Sequence, residues 1–101
     1  MLTHTVILRL KRPVEAGSRT AFIEALTRFG ATPPHAEGPA LVAVDADLRP
    51  EGPSVAEASM VVEFADAAAF RAYLADGAHV DLVENVLRPS CESWLSLQSE
   101  S

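Results

Sequence analysis

Apolar and polar residues alternate from the second position onward. Leu2, His4, Val6, Leu8 and Leu10 share one face of a strand, and Thr3, Thr5, Ile7, Arg9 and Lys11 share the other. Pro13 has no backbone N–H to give to a ladder and ends it. The period then lengthens. Phe22, Leu26 and Phe29 stand at i, i+4 and i+7 with Ile23 beside them, which predicts a helix over 18–29. Ser18 is its expected N-cap and Gly30 the residue just past its end. Residues 31–40 read as a loop, with Pro33, Pro34, Gly38 and Pro39. Leu41 to Asp45 reads as a short strand, and Pro50, Gly52 and Pro53 mark a turn within 47–55. Ser59 to Phe64 is the third strand, with Met60, Val62 and Phe64 on one face and Ser59, Val61 and Glu63 on the other. Asp66 is placed to cap a second helix running to Asp76, on which Phe70, Tyr73 and Leu74 form a stripe, and Gly77 closes it. A further helical stretch spans 79–87, with His79, Val83 and Val86 aligned. Pro89 is expected to prevent continuation, and Cys91 to Leu97 forms the last strand.

The order β-α-β-β-α-β is that of a ferredoxin-like α+β subunit. Two helices cover only one face of a four-stranded sheet, so the second face must be polar or covered by something else. Here several strands are apolar on both faces: Ile7 lies opposite Val6 and Leu8, Val61 opposite Met60 and Val62, and Trp94 opposite Leu95. A second copy of the chain is the simplest cover. The expected assembly is a homodimer whose two sheets face each other across an apolar pocket.

The chain of 101 residues fits one domain, 1–101, with a modest core. A net charge of −6 with scattered basic residues argues against nucleic acid. Cys91 is the single cysteine, which rules out an internal disulfide and suits a reducing cytoplasm. The start, Met1-Leu2-Thr3-His4-Thr5, lacks the pattern of a signal peptide, and no run is long and apolar enough to span a membrane.

Three segments resemble the stress-responsive dimeric α/β-barrel family. They are Thr3-His4-Thr5-Val6-Ile7-Leu8-Arg9-Leu10, Met60-Val61-Val62-Glu63-Phe64-Ala65-Asp66, and Tyr73-Leu74-Ala75-Asp76-Gly77-Ala78-His79-Val80. The resemblance implies ferredoxin-like subunits paired into a dimeric α+β barrel. Its catalytic members include cofactor-free polyketide cyclases of the olivetolic acid cyclase type. By that resemblance Tyr73 is a hydrogen-bond donor, His79 a general base and His4 a substrate-binding residue of the same pocket. The chain departs from the family at two places. Asp76-Gly77-Ala78-His79 stands where His-Pro-Ala-His is usual, and Ala58 stands where the cyclase has a further pocket histidine. The pocket is therefore different, and neither the substrate nor the reaction transfers.

The implied chemistry is physically sound. An imidazole with a pKa near 6.5 suits proton removal at neutral pH. The α-proton of a β-dicarbonyl is acidic enough for it, and a phenolic O–H would hold the enolate. Aldol or Claisen closure then needs neither metal nor coenzyme. Residue type and spacing alone leave other roles open. His79 on a stripe with Val83 and Val86 also suits a buried, hydrogen-bonded core histidine, and Tyr73 with Phe70 and Leu74 suits core packing. His4, among Leu2, Val6 and Leu8, either lines a pocket or bonds to a backbone carbonyl. His35 reads as a solvated loop residue, and the three histidines have no metal-ligand spacing, although a hard cation held by carboxylates and carbonyls at the dimer seam stays open. Cys91 reads as a small buried hydrophobe. Three functions follow. The first is a cofactor-free polyketide cyclase or lyase acting on a β-keto substrate. The second is a non-catalytic stress-response dimer that binds an apolar small molecule. The third is a cofactor-free monooxygenase, for which Trp94 is a candidate.

Overall fold

A computed structural model of the chain describes residues 1–49, 51–52 and 54–101. The expected turn residues Pro50 and Pro53 lie outside the described residues. The elements are β1 (Leu2–Leu10), α1 (Ala16–Ala31), β2 (Leu41–Val44), β3 (Ala58–Phe64), α2 (Ala67–Ala75), α3 (Gly77–Leu82) and β4 (Cys91–Glu100). A π-helical turn, Val83–Leu87, and a short helical turn, Arg88–Ser90, join α3 to β4. The strands form one antiparallel sheet in the order β2-β3-β1-β4. This is the ferredoxin-like α+β fold.

The alternation read from β1 is the alternation of burial. Leu2, His4, Val6, Leu8 and Leu10 are buried beneath the helices, as are Ala58, Met60, Val62 and Phe64 of β3. Phe22 and Leu26 of α1 pack onto them, and each such burial contributes roughly 1.5–3 kcal/mol. The opposite sheet face carries Ile7, Leu41, Leu95 and Leu97 in the open, Leu95 72% and Leu97 65% exposed. At the sheet end, buried Glu57 accepts a hydrogen bond from the Leu10 N–H (2.6 Å) and pairs with the Arg12 guanidinium, so its charge is matched inside the fold.

Element ends differ from the expectations. α1 begins two residues earlier than Ser18, after Glu15, which makes no side-chain cap. Gly30 lies inside α1 instead of beyond it. A Cβ there would approach Val42 Cγ2 to 2.8 Å, so glycine lets the helix close on β2. Gly77 opens α3 instead of closing α2. Asp76 ends α2 and caps α3, its Oδ1 accepting the Ala78 N–H at 2.9 Å. Asp66 does cap α2, through the Ala69 N–H at 2.9 Å.

Pro89 does not stop the helical path, which continues to Ser90. In a regular helix the proline ring would strike the carbonyl four residues back. The wider π-helical turn, in which the Arg88 N–H bonds the Val83 carbonyl five residues back, lies directly before it. The extra residue also shifts the buried stripe. Leu82 and Leu87, five apart, are the buried pair, while Val83 and Val86 are half-buried. β4 runs three residues beyond Leu97, to Glu100.

Candidate functional site

β1 sets the first residue of the site. His4 is on the helix-covered face because its neighbours Leu2 and Val6 must be there, and in an antiparallel register it sits across from Gln98 of β4. Its Nδ1 lies 2.6 Å from the Gln98 side-chain oxygen. That oxygen only accepts, so His4 donates through Nδ1–H and keeps its Nε2 lone pair free.

Tyr73 projects from α2 into the core, 0% exposed. It lies among Phe64, Phe70 and Phe29, with ring centroids 4.9, 6.2 and 6.0 Å away. Burial pushes its hydroxyl pKa well upward, so the group stays protonated and is a donor at any working pH.

His79 stands on the first turn of α3, directly after the Asp76 cap. Its Nδ1 is 3.2 Å from the Leu74 carbonyl oxygen, an acceptor, so here too Nδ1 carries the proton and Nε2 is the free base. Burial lowers its pKa from the ordinary 6.5, opposed in part by the Leu74 bond and by the Asp76 carboxylate. The His4 pKa is also lowered, by burial first and by the His79 ring as well, and the Gln98 bond opposes this. Both imidazoles are therefore neutral at pH 7.

These three residues, far apart in the chain, meet at one place. The Tyr73 and His79 ring centroids are 4.5 Å apart, and those of His4 and Tyr73 5.9 Å. All three line a cavity of about 160 Å³ whose other walls are mainly apolar: Val6, Leu8, Leu26, Met60, Leu74, Leu82, Val83 and Leu87. Trp94 and Ser96 of β4 complete it, Trp94 at the sheet edge and 36% exposed. The cavity lies between sheet and helices within one subunit. Tyr73 and His79 come from helices, and helices cover only the His4 face of the sheet.

His35 is well exposed, but it is not merely solvated. Its Nε2 is 3.2 Å from Asp76 Oδ2, which ties the 32–40 loop to the cap of α3. Cys91 is buried, and burial, aided by the nearby Glu57 carboxylate and opposed by Lys11, pushes its thiol up to about 11, so it is not a thiolate. Among the described residues no three His, Cys, Asp or Glu side chains converge in a way that would hold a metal ion. No helix among them is long and apolar enough to cross a membrane.

Gln98 and the Leu74 carbonyl, which set the two tautomers, were not singled out from the sequence. Gln98 continues the alternation of Trp94 and Ser96 and was legible only if β4 was carried past Leu97. A backbone carbonyl leaves no mark in a sequence.

The family model for the stress responsive A/B barrel domain matches residues 2–101. The chain belongs to that family. Solved structures bear out this A/B barrel subunit at the level of the fold. A dimeric ferredoxin-like protein of unknown function from Bacteroides fragilis superposes with a TM-score of 0.79 at 15% identity, over 99% of this chain and 95% of its own. A Dabb family protein from Mesorhizobium loti gives 0.79 at 20% identity, over 99% and 95%. A hydroxynitrile lyase from Passiflora edulis gives 0.72 at 15% identity, over 97% and 90%. No curated protein matches this A/B barrel chain.

Proposed function

We propose that this A/B barrel protein is a homodimeric, cofactor-free enzyme of the polyketide cyclase or lyase type, acting on a β-keto substrate as one domain over 1–101. The observation that carries the reading is the pairing of His79 and Tyr73, ring centroids 4.5 Å apart, on one largely apolar cavity, with the His79 Nδ1 engaged by Leu74 and its Nε2 free. His79 Nε2 removes the α-proton. The electron pair moves onto the carbonyl oxygen, where the Tyr73 O–H stabilises the enolate, and His4 Nε2 orients the substrate from beside Tyr73. The enolate carbon then bonds to a second carbonyl carbon of the same molecule, and the alkoxide so formed recovers the proton from His79. The apolar walls favour this by excluding water and folding the chain of the substrate.

The test uses hydrogen–deuterium exchange at the α-carbon of a slowly exchanging ketone such as cyclohexanone, followed by NMR. The protein is expected to accelerate exchange. His79→Ala is expected to lower the acceleration by roughly 10²–10⁴-fold while the folded dimer persists. Acceleration left intact in both His79→Ala and Tyr73→Phe would remove the assignment. The lining is also that of a binding site, which favours as second reading a dimer that holds an apolar small molecule without turnover. That reading expects ligand binding indifferent to His79 and no exchange above buffer. Oxygen consumption with a quinol would instead support a monooxygenase.

A further inference from the structure

The walls of the cavity limit what it takes. About 160 Å³ is close to the roughly 150 Å³ of an apolar cavity that binds a single benzene. No Asp, Glu, Lys or Arg side chain lines it. A carboxylate or ammonium entering such a place would leave water for an unpaired site, at a cost of several kcal/mol or more. His4, Tyr73 and His79 cluster in the cavity wall, and Leu26, Leu82 and Leu87 are among the apolar residues that line the rest. Burial keeps the Tyr73 hydroxyl protonated, so it can donate to an oxygen acceptor on a ligand.

We infer that the cavity selects an uncharged molecule of about one ring in size, a neutral polyketone just long enough to close a single ring or the phenol that closure and loss of water form, with its oxygen at the Tyr73 hydroxyl and its hydrocarbon against the apolar walls. This rests on reading the His79–Tyr73 cavity as the reacting site and narrows the substrate for it. Long-chain or multi-ring polyketides are outside the class, and so are carboxylates of the right size.

Calorimetric titration of the full-length dimer with phenol, benzoate and 4-phenylphenol tests this. Phenol is expected to bind saturably and at least tenfold more tightly than the other two. Val83→Ala removes two methyl groups from a half-buried wall and is expected to narrow the gap between phenol and 4-phenylphenol severalfold. Equal or tighter binding of benzoate or 4-phenylphenol by the unaltered protein overturns the inference. So does the absence of saturable phenol binding, or a gap that Val83→Ala does not change. Proton exchange at cyclohexanone without this selectivity would leave the enzyme reading standing and remove this one. Selectivity without exchange would do the reverse.

Discussion

Replacing Tyr73 by Phe separates a chemical role from a packing role, because the two predict opposite changes. The ring is fully buried and packed against Phe64 and Phe70. Phe keeps that contact, so no cavity forms and the cost of a large-to-small substitution does not arise. What is lost is one hydroxyl on a fully buried ring. If that hydroxyl serves a ligand and holds nothing in the fold, its deletion stabilises the fold by about 1 kcal/mol, and if it holds the fold, its deletion costs about as much. For a domain of this length that is a change in Tm of roughly 4–8 °C, upward in the first case and downward in the second. If the hydroxyl is aimed at an enolate oxygen, its loss takes roughly 10²–10³ from the rate, the cost of one oxyanion donor. The expected result is therefore a slower protein that is no less stable, read by ketone proton exchange and by thermal unfolding of the same sample. A fall in Tm of several degrees with exchange unchanged would refute the reasoning, since it would mean that the hydroxyl holds the fold and not a reacting oxygen.

The pH dependence follows from the two imidazoles. Burial lowers the pKa of both below 6.5, so activity that needs neutral His79 should be level through pH 7 and fall only as pH drops below 6.5. Stability should move the same way. In the window between the folded and unfolded pKa values the unfolded chain binds more protons, so stability is complete above pH 6.5 and is lost as pH falls through the lowered folded values. Chemical denaturation from pH 8 to 5 checks this, and a chain more stable at pH 5 than at pH 7 would contradict it. The open sheet face gives a separate expectation. Leu97→Glu places a charge on a face carrying Ile7 and Leu95, and should convert a particle of twice 10.8 kDa into one of 10.8 kDa by light scattering without changing helix content. An unchanged mass would show that this face is not the dimer contact.

The strands and the identity of the buried face were legible because burial obeys a period of two. Once Leu2, Val6, Leu8 and Leu10 are read as a core face, His4 must go with them. The helices were legible from Phe22 and Leu26 and from the Asp66 cap, and the apolar second face from Ile7 and Leu95. Their ends were not, because Gly30 and Gly77 look like helix stops along the chain, whereas one serves close packing on Val42 and the other follows a cap supplied by Asp76. Pro89 looks like a break because a sequence does not show that a π-helical turn precedes it.

Residue types and spacing alone show which side chains are capable of chemistry and that Tyr73 and His79 lie six positions apart on neighbouring helical segments. That His4 joins them on a cavity under the helices follows from the fold alone. So does the free nitrogen on each imidazole. Those facts depend on strand register and on a backbone carbonyl, on Gln98 opposite His4 and Leu74 beside His79. They are set by contacts between segments far apart or between side chain and main chain, and such contacts have no period along the chain.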